Sequence, residues 1–274
     1  MTAPRTVLLT GAAGGLGTLM RELLPAYGYE LRCLDVRPVE GEPDAVVADL
    51  SDRRALREAV RGVDAILHLA AISLEASFEK ILRANIEGTY HLYEAAREEG
   101  MKRVVFASSN HAVGFTPRPP GEPPIAPGAL IPVDTPRRPD TYYGLSKCFG
   151  EDLAQLYWDQ HGIETVSVRI GSCFRRPSTV RMLSVWMSPE DGARLFHAAL
   201  TAGDVGHTVV YGSSANTRIW WDLGSARALG YEPRDDSERF AAELIAEQGE
   251  LDEGNPDHRC LGGHFVTRPP IWPH

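Results

Sequence analysis

Tyr143 and Lys147 stand four positions apart in the run Tyr143-Gly144-Leu145-Ser146-Lys147. On a helix, positions i and i+4 share a face, so this phenol and this ammonium can address one reaction centre. A free phenol, with a pKa of about 10, is a poor base at neutral pH. A neighbouring positive charge favours the phenolate, so the pair is expected to lower the Tyr143 pKa and make it a base. Tyr142 is adjacent, but Lys lies at the right spacing from Tyr143 alone. Upstream, Ser108-Ser109-Asn110-His111 follows a β-branched run. A Ser109 hydroxyl there could bind a reacting oxygen and steer it to Tyr143. Standing alone, these polar residues would only end a strand.

A second cluster supplies what such a base could work with. Gly11-Ala12-Ala13-Gly14-Gly15-Leu16-Gly17 lies between the apolar run Thr6 to Thr10 and an amphipathic segment. Glycines at 11, 14 and 17 permit a tight turn, close approach of a pyrophosphate and packing of helix on strand. The helix N-terminus adds free N–H groups and partial positive charge. Asp35 closes the next run about 20 residues later, where a carboxylate accepts from a ribose diol and repels a 2′-phosphate. NAD is therefore expected over NADP, with Arg37 softening the preference. Asp49-Leu50 would flank adenine, and Leu69-Ala70-Ala71 the pyrophosphate. A base beside oxidised nicotinamide is the chemistry of hydride transfer from an alcohol.

These residues must be held by alternating elements. Short apolar runs recur at Thr6 to Thr10, Glu30 to Asp35, Ala45 to Ala48, Ala65 to Leu69, Val104 to Ser108 and Thr165 to Ile170. Helical spacing fills Leu16 to Tyr27, Arg53 to Val60, Phe78 to Glu99 and Tyr142 to Gln160. That alternation predicts an α/β fold, a Rossmann-type doubly wound parallel sheet with helices on both faces. Beyond Arg175 the rhythm weakens to a helix at Pro189 to Ala202, a strand at Thr208 to Tyr211 and a helix at Ser237 to Gln248. This part reads as a small C-terminal substrate-binding region. The whole chain, 1–274, is expected to form one domain, with the region from Ser172 onward supplying the substrate pocket. Phe115 to Pro139, rich in Pro and Gly, is too long for an ordinary connection and suits either a lid or a solvated insertion.

Bulk properties narrow the classes. A charge of −9 in 274 residues, with no Lys/Arg cluster, argues against a nucleic-acid surface. No apolar run reaches the ~20 residues of a membrane span. The early run Val7-Leu8-Leu9 is too short for a signal peptide, so a cytoplasmic address is expected. Cys33, Cys148, Cys173 and Cys260 have no metal-ligand spacing and read as free buried thiols. An acidic protein that takes an anion needs an Arg clamp, and Arg175, Arg176 and Arg181 all follow the sixth strand. Sequence physics does not choose among them. His111 could be a structural hydrogen bonder or a substrate contact, and Trp186, Trp220 and Trp221 core or pocket wall.

Thr10 to Gly17, His68-Leu69-Ala70-Ala71, Asn85-Ile86-Glu87-Gly88-Thr89 and Tyr143 to Lys147 resemble the extended short-chain dehydrogenase/reductase superfamily. Phe106 to His111, Tyr143 to Glu151, Arg169-Ile170-Gly171-Ser172-Cys173 and Arg181-Met182-Leu183-Ser184 resemble its uronate dehydrogenases. So do Gly212 to Asn216, Trp220-Trp221 and Gly262-Gly263-His264-Phe265. The resemblance implies oxidation of galacturonate or glucuronate at the anomeric carbon to an aldarolactone, with hydride passing to NAD. It implies Tyr143 as base, Lys147 as the residue that orients ribose, and Ser109 as partner of the reacting hydroxyl. Gly11, Gly14, Gly15, Leu16, Gly17, Asp35, Asp49, Leu50, Leu69, Ala70, Ala71, Asn85, Ser108 and Ile170 would contact the cofactor. Ser73, Ser109, Asn110, His111 and Ser172 would hold the sugar, and Arg181 its carboxylate. No metal is implied, and a homo-oligomer is. Gly15, where those enzymes tend to carry a larger polar residue, and the longer Phe115 to Pro139 loop depart from the pattern. The alternatives are a sugar-nucleotide epimerase or dehydratase of the same superfamily and a non-catalytic NAD-sensing regulator.

Overall fold

Nine strands are present in a computed structural model that describes residues 5–268. They are β1 (Thr6–Thr10), β2 (Glu30–Asp35), β3 (Val46–Val47), β4 (Ala65–His68), β5 (Arg103–Ser109), β6 (Glu164–Ile170), β7 (Ser172–Cys173), β8 (Trp186–Met187) and β9 (His207–Gly212). Seven of them form one parallel sheet in the order β3-β2-β1-β4-β5-β6-β9. Chain direction along the sheet reverses between β1 and β4, so the loops leaving their carboxyl ends part there and leave a crevice. β3 is shorter than the predicted run because it is an edge strand, registered only against Leu34 and Asp35.

The period-2 alternation of strand side chains separates two cores. Val7, Leu9, Leu67, Val105 and Val168 face α1 (Gly15–Leu23) and α7 (Pro189–Thr201), represented by Met20, Leu195 and Phe196. Leu8, Ile66 and Val104 face α2 (Arg53–Val60), α4 (Gly88–Glu98) and α5 (Tyr142–His161), represented by Leu56, Leu92, Tyr93 and Leu153. The sheet is thus covered on both sides, as the near-continuous apolar strands require.

Two long helices reach the crevice. The predicted Phe78 to Glu99 helix is α3 (Phe78–Ile81), a π turn at Leu82–Glu87 and then α4. Such turns break the regular ladder and concentrate at functional sites; this one carries the buried Asn85. α5 starts at Tyr142 because Thr141 caps it, its hydroxyl accepting from Gly144 N at 3.0 Å. The Glu75 carboxylate takes Tyr143 N at 3.0 Å. The helix stops at Gly162, which adopts the left-handed conformation, φ 64°.

The region after Arg175 holds more structure than its sequence shows. β7 and β8 form a separate parallel pair, and α6 (Met182–Val185) and α8 (Gly224–Ala228) are single turns. Elements this short carry no periodic signal. α9 (Ala241–Gln248), preceded by a 3₁₀ turn at Ser237–Phe240, fills the predicted last helix. Residues 115–139 are irregular apart from a 3₁₀ turn at Pro127–Ala129. Ile125, Leu130, Ile131 and Val133 pack with Tyr211, Trp220 and Trp221 in a third apolar cluster. All three Trp residues assigned to core or wall (Trp186, Trp220 and Trp221) are buried. Cys33, Cys148 and Cys173 are buried free thiols, whereas Cys260, expected buried, is partly exposed. No helix among the described residues is long and apolar enough to cross a membrane.

Candidate active site

A cavity of about 700 Å³ lies over the carboxyl ends of the sheet. One wall is backbone. Gly11, Gly14, Gly15, Leu16 and Gly17 line it, with Asp35 and Arg37, Asp49 and Leu50, and Leu69, Ala70 and Ala71. Gly11 has φ +74°, and a Cβ on it would lie 2.7 Å from Ala70 N. A Cβ on Gly17 would lie 2.1 Å from Gly11 O. Turn, strand end and helix therefore close on each other only as glycine. At Gly15 a Cβ would meet nothing within 4 Å, so glycine is not required there by close packing. α1 starts behind Gly14 with no side-chain cap, which leaves first-turn N–H groups free for an anion.

Asp35 ends β2 with its carboxylate held by Ala13 N and Arg37 N, each at 3.0 Å. Two oxygens with about four acceptor sites retain capacity for a diol. The exposed Arg37 guanidinium donates to Ala13 O at 2.9 Å and lies 3.8 Å from Asp35 Oδ1. A glycine cradle that a Cβ would fill, an uncapped helix start and this carboxylate fit a dinucleotide with a free ribose diol.

The middle of the cavity holds Ser109, Tyr143 and Lys147. Lys147 Nζ donates to Ala107 O at 2.7 Å and lies over the rings of Phe106, at 4.9 Å, and Tyr143, at 5.5 Å. Burial pushes the Tyr143 phenol up to about 12, opposed by a hydrogen bond with Ser109 and reinforced by Asp140. Burial likewise pushes the Lys147 ammonium down to about 7, opposed by Glu151. The expected lowering of the phenol pKa is thus not seen in the protein alone. Desolvation acts on both groups and weakens the cation meant to help the phenol.

The far wall is made of side chains. Ser73, Asn110, His111, Ser172 and Arg181 line it, with Phe174, Met182, His264 and Phe265. Asn110 Nδ2 donates to Leu261 O at 2.8 Å. His111 Nδ1 meets Asp140 Oδ2 at 2.7 Å, and its ring lies 4.1 Å from that of Phe265. Arg181 donates to Leu261 O and packs over Trp220, 5.8 Å from the ring. Its Nε is buried without a partner, and among the described residues it makes no ion pair. Burial pushes its guanidinium down to about 10, still charged at neutral pH. Arg175 pairs instead with Glu22 and Arg176 with Glu243, out on the surface. Of the three arginines the sequence left open, Arg181 is the one on the cavity.

Two expectations are corrected. Asn85 is not on the cavity wall. Its amide accepts from Ile72 N at 2.8 Å and donates to Ile72 O and Ser146 Oγ, both at 3.0 Å, so it clamps the loop after β4 to α5. Residues 115–139 do not serve as a lid, since none lines this cavity; much of the segment is exposed, Phe115 included, while Ile125, Leu130, Ile131 and Val133 are packed in the third apolar cluster. They hold the C-terminal segment instead, through Leu261 N to Thr116 O and Arg118 N to Arg259 O, both 2.9 Å. Ser108 and Ile170 do line the cavity, although the Ser108 hydroxyl turns away to Glu151 at 2.6 Å. Asp140, His264 and Phe265 were missed as site residues. The tandem glycine before His264-Phe265 was the available signal, since it lets backbone press against Asp140 and Arg181.

Residues 7–176 match the NAD dependent epimerase/dehydratase family, and the chain belongs to that family of extended short-chain dehydrogenases/reductases. Within it, a uronate dehydrogenase of Pseudomonas syringae pv. tomato is 49% identical over 97% of this chain and 94% of its own. The crystal structure of uronate dehydrogenase from Agrobacterium tumefaciens superposes with a TM-score of 0.89 at 43% identity, covering 98% of this chain and 99% of that one. A mutant of that enzyme complexed with NAD gives 0.88 at 43%, over 97% and 98%. The chain is a member of the uronate dehydrogenase group.

Proposed function

We propose that this protein oxidises a hexuronic acid, galacturonate or glucuronate, at C1 to an aldarolactone, with NAD as hydride acceptor. The observation that carries this reading is Arg181: a cationic fork on the wall of the cavity that also holds Ser109, Tyr143 and Lys147, with no salt bridge among the described residues although Asp140 and Asp257 support its charge. A planar guanidinium binds a carboxylate in two-point fashion, and a neutral hexose offers it nothing equivalent. The uronate dehydrogenase relatives support the same substrate class.

Arg181 holds the carboxylate and so fixes which carbon reaches Tyr143. Ser73, Asn110, His111 and Ser172 hold sugar hydroxyls. Ser109 donates to the C1 oxygen, and Tyr143 accepts the C1 hydroxyl proton as the C1–H bond breaks. Bound NAD supplies the acceptor for the hydride and a positive charge beside the phenol. The exocyclic C1–O bond becomes a carbonyl, the third bond of C1 to oxygen, and the ring oxygen stays in place, giving the lactone. Protonated Lys147 orients the ribose and favours the phenolate, and Asp35 accepts from the adenosine diol.

Purified protein should reduce NAD with either uronate, and Tyr143→Phe should remove most of that activity. Turnover of a nucleotide sugar but of neither uronate would refute the reading. The epimerase/dehydratase reading is not favoured, since uronate dehydrogenases match nearly the full chain. We further propose one domain with the region from Ser172 onward forming the sugar side, no nucleic-acid partner, a cytoplasmic location and a homo-oligomer. Exposed Tyr90, Leu145, Leu156 and Trp158 on α4 and α5 support the last. Light scattering on the eluted protein tests it, and a monomer at working concentration would contradict it.

A further inference from the structure

Tyr143, Lys147 and Glu151 follow one another at i, i+4 and i+8 and so form a single stripe on α5. The first two have roles in the reaction proposed above; the third is buried, 2% exposed, and does not line the cavity. Its carboxylate accepts the Ser108 hydroxyl at 2.6 Å, beside the Ser109 that contacts Tyr143. Both oxygens are gripped by Arg169 of β6, Nε at 2.9 Å and Nη2 at 2.8 Å. Arg169 Nη1 in turn donates to Val133 O at 2.9 Å, in the proline-rich segment. The guanidinium also lies 5.9 Å from the ring of Tyr211, which stacks on Trp221.

We propose that Glu151 is a positioning residue of the reaction, the joint through which residues 115–139 and β6 set Ser109 and sustain the ammonium of Lys147. This rests on the oxidoreductase reading of the cavity. Two observations distinguish the role from packing alone. The Arg169–Glu151 pair is buried, its side chains 5% and 3% exposed, at a desolvation cost that an apolar pair filling the same space would not carry. Among the described residues Lys147 has no salt bridge, and Glu151 is the group that opposes its loss of charge. The other titratable groups facing Lys147 give no help. Tyr143 on α5 stays neutral, burial pushes His68 at the end of β4 down to about 3, and Arg169 carries like charge.

The test reads Lys147 directly and needs no substrate. The chain has three lysines, Lys80, Lys102 and Lys147, so protein labelled at the lysine side-chain carbons and nitrogens gives few signals. Lys147→Met assigns the one that matters. In Glu151→Gln the Lys147 titration midpoint should fall by about one unit or more. The alkaline limb of kcat/KM against pH should shift down with it. If Glu151→Gln does not fold because Arg169 is left unpaired, Glu151→Gln/Arg169→Gln removes both charges and should show a smaller fall in the same direction, because loss of the like-charged Arg169 offsets part of it. A midpoint unmoved within a few tenths of a unit in either folded variant, with Tm alone reduced, would overturn the proposal. Failure of the wild type to turn over any uronate would count against the function and leave this titration readable.

Discussion

The two walls of the cavity are built in opposite ways. The glycine wall is made by residues within one strand–turn–helix unit, Thr6–Thr10 and Gly15–Leu23, plus the ends of the adjacent strands. Its donors are backbone N–H groups, so its chemistry is fixed as soon as the local fold forms. The wall proposed for the sugar is made by side chains drawn from the turn after β5, β7, the start of α6, the loop after β4 and the C-terminal segment. There Asn110 and Arg181 both donate to Leu261 O, and Phe265 covers His111. Under the proposed function, the difference teaches that cofactor recognition is local and substrate recognition is assembled over long range. Damage at a distance should therefore reach the second and spare the first.

The largest expected effect falls where the walls meet. Tyr143→Phe removes the base and should cost about 10²–10⁴-fold in kcat, with NAD affinity and Tm nearly unchanged. A loss below tenfold in initial-rate kinetics would move the base elsewhere. Next, Trp221→Ala empties the third apolar cluster and should destabilise the chain by about 3–5 kcal/mol by denaturant titration. At a temperature where the variant remains folded, KM for the uronate should rise while Kd for NAD holds. Equal effects on both ligands would erase the contrast between the walls. Third, Gly17→Ala drives a methyl group onto Gly11 O. Calorimetry should show NAD binding weakened at least about tenfold, and differential binding of a uronate to the ligand-free protein should not change.

The smallest effect is one of pH. Lys147 is pushed down to about 7 from its ordinary 10.5. The unfolded chain therefore binds more protons across that interval, and stability attributable to Lys147 rises with pH through it. The contribution is complete above about 10.5 and is lost as pH falls through about 7. Lys147→Met should remove that slope, so the Tm of the variant relative to wild type should be greater at pH 6 than at pH 9. Parallel Tm curves would place Lys147 in a more hydrated setting.

The sequence was most readable where structure is local. Alternating apolar runs placed all seven strands of the main sheet, because strands covered on both faces are written as continuous Val, Leu and Ile. Gly11 to Gly17, Asp35 and the Tyr143/Lys147 pair stood out because each depends on spacing within a single element or turn. Asn85 could be seen as special but not placed, since a π turn leaves no mark in an apolar pattern and its partner Ser146 is 61 residues away. The proline-rich segment misled for the same reason: Ile125, Ile131 and Val133 are ordinary loop residues until Trp220 and Trp221 come to meet them. Asp140 gains meaning only through His111, and Glu151 only through Ser108 and Arg169. The pKa directions were illegible as well, because burial outweighed the charge that spacing alone suggested.

The central claim is that Arg181 makes this cavity a sugar-acid site. The most direct measurement is kcat/KM with NAD for galacturonate and glucuronate beside their neutral hexoses, in wild type and in Arg181→Met. A charge-assisted pair is worth about 1.5–3 kcal/mol, so wild type should prefer a uronate by about 10–100-fold and Arg181→Met should lose that preference through KM. Equal rates on uronate and neutral hexose in the wild type would contradict the claim.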